Sequence, residues 1–134
     1  MQVERRKSDI GCQRSDIINA MNYEDLEVYK RASNLFPLIY KLVRSWKQID
    51  QRELGSQMIR AANSIHANIA EGVNKSPQEF KRYLTSAIGS CDELVSHLKD
   101  ASNIGLLNEE AKSELVSDYS VIVKQLMRLK KNWH

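Results

Sequence analysis

"SIHANIAEGVNKSPQEF", residues 64–80, contains the turn on which the fold depends. To its left, Leu54, Met58, Ala61, Ile65 and Ile69 recur at steps of three and four, the spacing of a helix with one buried face. Ala62, Ser64, Ala67 and Ala70 are small enough for a neighbouring helix to approach closely. Gly72 follows where a glycine in the left-handed conformation commonly ends a helix. Ser76, Pro77 and Glu79 then spell a capping box with proline in the first turn, the start signal of a second helix. The stretch is therefore read as a helical hairpin, with Asn68 bonding backbone groups across it.

Outward from this hairpin the same periodicity continues. Phe80, Leu84, Ala87, Cys91, Leu94, Leu98 and Ala101 alternate steps of four and three, an apolar seam that stops near Gly105. Asn108 can cap a further helix, with Glu109 and Glu110 in its first turn and Leu115, Tyr119, Ile122, Leu126, Leu129 and Trp133 as its seam. Upstream, Leu26, Tyr29, Ala32, Phe36, Ile39, Val43 and Trp46 form another stripe, widened by Leu35, Leu38 and Leu42. Pro37 lies inside it and predicts a kink near residues 33–37. The helices expected are at about 25–47, 50–71, 77–103 and 109–132. Their short connections force antiparallel neighbours, so the fold class is all-α, an up-down-up-down four-helix bundle over residues 23–134. Residues 1–22 show no sustained period and read as a flexible N-terminal tail, in which Met21 offers a second possible start.

Composition agrees with one globular domain: 134 residues, 42% hydrophobic and 28% charged, with only 5 glycines and 2 prolines to punctuate turns. No apolar run is long enough for a membrane span, and the first twenty residues lack the apolar centre of a secretory signal. Cys12 in the polar tail and Cys91 on a core stripe make no disulfide framework, so reduced thiols and a cytoplasmic location are expected.

Catalytic readings find little support in the spacing. A ferritin-like di-metal centre needs Glu three residues before a His, and the residues three before His66, His97 and His134 are Asn63, Leu94 and Lys131. Glu93 and His97 share a helix face, a weak metal pair at most. Ser64 and His66 are two apart on a helix and do not face each other. Gly72 and Lys75 do not make a glycine-rich phosphate loop. No enzyme activity, cofactor or metal is expected. Arg60 suits a bidentate carboxylate pair, with Glu71, Asp92 or Glu93 as partners, and a buried pair is expected there.

The segments "DLEVYKRA", "QMIRAANSIHANIAEGVNKSPQEFKRYL" and "AIGSCDEL" together resemble the 23S rRNA intervening-sequence protein family, also described as four helix bundle proteins. The resemblance covers about residues 23–130 and is carried most specifically by "NIAEG". Tyr29 stands where the family usually has tryptophan, and Ile59 replaces the first of two arginines, leaving Arg60 alone. His66 and Ala67 replace a usual proline and serine, and "IGLL" a usual glycine-tyrosine. The resemblance implies a bacterial protein assembling as a closed homopentameric barrel, similar in fold to accessory proteins of diversity-generating retroelements. Those are basic barrels that bind nucleic acid and a reverse transcriptase. The family carries no established catalytic activity.

Net charge is +3, modest for one chain, and fivefold repetition would raise it to roughly +15. Candidate phosphate contacts are Lys41, Arg44 and Lys47 on the first helix, Lys75, Lys81 and Arg82 at the hairpin, and Lys124, Arg128, Lys130 and Lys131 on the last helix. With no aromatic-basic recognition module, contacts to backbone phosphates of RNA or DNA are expected rather than sequence readout. The competing expectation is a scaffold docking a genomically linked protein, such as a reverse transcriptase, without touching nucleic acid.

Overall fold

A computed structural model of the chain describes residues 22–134; the expected tail, Met21 and Cys12 lie outside the described residues. A 3₁₀ turn at Tyr23–Asp25 leads into four helices: α1 (Glu27–Arg44), α2 (Ser56–Gly72), α3 (Pro77–Asn103) and α4 (Glu109–Asn132). Among the described residues there is no strand. Each helix packs on its neighbours in the chain, and α4 closes back onto α1. The molecule is a four-helix bundle.

The core takes one stripe from every helix. Val28, Ala32, Ile39 and Val43 come from α1, Met58, Ala61, Ala62, Ile65 and Ile69 from α2, and Tyr119, Ile122 and Leu126 from α4. The whole expected seam of α3, Phe80 through Ala101, is buried. Burying a residue of Leu or Phe size stabilises by about 1.5–3 kcal/mol, so these stripes dominate the stability of the fold. Tyr29 and Phe36, expected in the core, are only half-buried, and both rings pack edge-on against His66 at 5.6 and 5.8 Å. Val28 takes the core position instead. α1 continues through Pro37, which is exposed.

The entry to α2 departs from a simple helix. A single α-turn at Gln48–Asp50 passes into a π-helical segment, Gln51–Gly55, in which the Ser56 N–H reaches five residues back to the Gln51 carbonyl. Gln51 Nε2 donates to the Trp46 carbonyl at 2.7 Å and ties this segment to the end of α1. A Cβ on Gly55 would run into the Val43 side chain, so the widened turn and the glycine together bring α2 onto α1.

The capping box at the hairpin is present: Glu79 N–H donates to Ser76 Oγ and Ser76 N–H to Glu79 Oε1, both at 3.2 Å, with Pro77 in the first turn. Gly72 does something other than expected. It does not take the left-handed conformation; it is the last residue of α2, and the capping residue Val73 still has φ −60° and ψ −31°. Glycine is required because a Cβ there would lie 2.6–2.7 Å from Tyr83. The one positive-φ glycine among the described residues is Gly105, at φ 85°, between α3 and α4.

Candidate nucleic-acid interface

Helix direction sorts the charges. α1 starts, α2 and α3 turn, and α4 finishes at the same end of the bundle. Phe80 in the first turn of α3 packs edge-on against Trp133, just past α4, at 4.8 Å. Arg31 Nε donates to Gln125 Oε1 at 3.2 Å, joining the start of α1 to the last third of α4. Leu26 and Val28 share a cleft with Arg128 and Leu129. These contacts place Lys75, Lys81, Arg82, Lys124, Arg128, Lys130 and Lys131 on the half of the bundle nearest the α2/α3 turn. Lys41, Arg44 and Lys47 lie at the opposite end, where Arg44 sits 5.8 Å from the centre of the Tyr40 ring. The ten candidate cations therefore form two groups rather than one surface.

The larger group is open to solvent. Lys75, Arg82, Lys124, Arg128 and Lys131 are exposed, and Lys81 and Lys130 are half-buried. The ion pairs among the described residues are Lys112 with Glu109 at 2.9 Å and His97 with Glu93 at 3.2 Å, so none of the seven forms an ion pair there. Residues 121–134 carry four cations and no carboxylate side chain. Glu79 is the nearby acid, and its carboxyl is held below the usual range by hydrogen bonds from Ser76, helped by Lys75 and Arg82. Lys30 and Arg31 stand at this end as well, and sequence reasoning missed them. Only the closure of α4 onto α1 could have revealed them.

Three expected interactions take another form. Arg60 and Glu71 are both exposed, and neither forms an ion pair among the described residues, so the expected buried pair of Arg60 with Glu71, Asp92 or Glu93 is not formed. The alanines that suggested burial are shared out around α2, with Ala61 and Ala62 inside and Ala67 outside. Asn68 does not reach across the hairpin. Its Nδ2 donates to the carbonyl and the hydroxyl of Ser64, 2.8 and 3.1 Å away on its own helix. The polar bridge between the helices is Ser90 Oγ to Ser64 Oγ, at 3.0 Å.

Cys91 and Tyr119 are shut into the core, and His66 is half-buried beside it. Burial pushes the Cys91 thiol up to about 12, which keeps it protonated at neutral pH. Tyr119 is fully buried and its phenol is shifted upward by the same cause. Burial lowers the pKa of His66, whose Nδ1 has no partner. Among the described residues no group of three or more metal-ligating side chains stands together, and no helix is long and apolar enough to cross a membrane.

Among the described residues, fold and surface thus define an all-helical bundle with the larger group of cations, outside any ion pair, toward one end. The chain belongs to the 23S rRNA-intervening sequence protein family, whose sequence model matches residues 24–128. No individually curated protein matches it.

Proposed function

We propose that the protein is a non-enzymatic accessory that binds RNA or DNA through backbone phosphates, working in the cytoplasm as a closed homo-oligomer. The family resemblance implies a ring of five. The observation that carries the binding reading is the group of Lys124, Arg128, Lys130 and Lys131 with Lys75 and Lys81, none of them in an ion pair among the described residues. Phosphate contacts release counterions, so affinity falls steeply with salt, with a slope of about 0.7–0.9 per phosphate engaged.

Fluorescence anisotropy with a labelled RNA and a labelled DNA duplex, across a salt series, tests the reading. Binding that weakens with salt is expected. Replacing Lys124, Arg128, Lys130 and Lys131 with Gln should lower affinity about 100-fold or more at low salt and flatten the slope by about 3. Replacing Lys41, Arg44 and Lys47 should cost less than about tenfold. Absence of binding at low salt would end this reading.

A second reading, docking of a genomically linked protein, is favoured by the exposed apolar side chains Leu38, Tyr40 and Ile49 toward the other end. A partner held there would bind with little salt dependence.

A further inference from the structure

The outward face of the α2/α3 hairpin is unlike the rest of the surface. Along α2, Arg60, Asn63, Ala67 and Glu71 are exposed in sequence, and between Arg60 and Glu71 no charged residue occurs. Along α3, Arg82, Ser86, Gly89 and Glu93 are exposed at similar spacing, with the exposed Asp92 the one charged residue between the arginine and the glutamate. Each helix therefore shows an arginine and a glutamate eleven residues apart, about 16 Å along the axis, with small residues between them. The helices run antiparallel, with Gly72 against Tyr83 and Ser64 against Ser90. That register sets Arg60 level with Glu93 and Glu71 level with Arg82.

Gly89 supplies an independent observation. It lies in the middle of α3, where glycine costs about 1 kcal/mol relative to alanine. A Cβ added to it would meet nothing within 4 Å. Nothing among the described residues requires this glycine, unlike Gly72. A close approach from outside the chain would require it.

We infer that this face is a contact between copies of the chain, α2 of one lying antiparallel on α3 of the next across the small residues, with Arg60 meeting Glu93 and Glu71 meeting Arg82. A rotation axis along the helices keeps α2 and the neighbouring α3 antiparallel and at the same level. Both pairs then form together, giving charge complementarity along the contact. Glu93 is already oriented by His97 at 3.2 Å. Arg60 and Glu71, which form no ion pair among the described residues of one chain, find their partners in the second. This inference rests on the closed homo-oligomer of the proposed function and names the faces that join.

Mass in solution by light scattering over a dilution series tests it, with circular dichroism to follow the fold. Arg60→Glu and Glu93→Arg should each raise the subunit dissociation constant about tenfold or more, shifting mass toward the 15.4 kDa chain. The double swap should restore assembly. Gly89→Trp should dissociate the copies while the helix content is kept, because the site is exposed and open. If the wild type assembles and all of these variants keep its mass, the inference falls and the oligomer stands. If the wild type is itself a 15.4 kDa species, both fall. If Arg60→Glu weakens RNA binding at unchanged mass, the face belongs to nucleic acid and the inference is overturned.

Discussion

At the α3/α4 turn, Asn108 Oδ1 accepts from the Ala111 N–H at 2.7 Å, Lys112 pairs with Glu109, and Gly105 turns the chain. What is left there without an ion pair among the described residues includes the exposed carboxylates of Asp100 and Glu110. At the α2/α3 turn the backbone is capped as thoroughly, by Ser76 and Glu79, yet Lys75, Arg82, Arg128 and Lys131 form no ion pair among the described residues. Two equally well-made ends thus differ in what is left over. Lys130 and Lys131 also complement the α4 dipole, which supplies a structural reason for them worth about 0.3–1 kcal/mol. That reason does not extend to Lys75 or Lys81, which lie elsewhere in the chain.

Substitutions can break this contrast, beginning with the strongest. Phe80→Ala removes a fully buried ring and its contact with Trp133, and should cost about 3–5 kcal/mol in urea unfolding. The loss should loosen the cationic end first, seen as faster amide exchange in residues 125–132 than in residues 109–116. Gly72→Ala comes next. Alanine normally favours a helix, but here its Cβ would press on Tyr83, so a net loss of about 1–3 kcal/mol is expected from the same unfolding curves. Were Gly72 needed only as a helix stop, alanine would be close to neutral, because its backbone is already helical.

The caps sharpen the comparison between the ends. Ser76→Ala and Asn108→Ala should each lower stability by about 1 kcal/mol, since each removes one side-chain acceptor from a helix start. Only Ser76→Ala should also alter nucleic-acid affinity, through the first turn of α3 that carries Lys81 and Arg82. An equal effect of both caps on binding would contradict the two-ended picture. The smallest effect concerns pH. The folded chain resists protonating His66, whereas the unfolded chain takes up the proton near its ordinary value of about 6.5. Stability should therefore be flat above about pH 7 and fall as pH drops below about 6.5. His66→Phe should remove that part of the fall, as measured by denaturation midpoints at pH 7.5 and 5.5.

Much of this architecture is legible in periodicity and capping, because both are local. Ser76, Pro77 and Glu79 announce a helix start that needs nothing from the rest of the chain to form. The seam of α3 is fully legible because every member faces inward. Failures occur where the deciding neighbour is distant in sequence. Gly72 looked like a stop because Tyr83, which actually demands the glycine, is eleven residues away. The π segment depends on Gln51 reaching back to Trp46 and on the crowding of Gly55 by Val43. Arg60 looked buried because alanines surround it in sequence, but their directions around the helix decide otherwise. The cations were readable as residues; their division into two ends requires knowing that α4 returns to α1.

The contact that closes the cationic end also equips the protein with a built-in optical reporter. The chain has two tryptophans, Trp46 at the turn between α1 and α2 and Trp133 against Phe80. They mark opposite poles, and only Trp133 lies beside the lysines of α4. Emission from a Trp46→Phe variant would report events at one pole without any attached dye. Nucleic acid added to that variant should quench or shift the remaining emission, while Trp133→Phe protein should stay dark to the same titration.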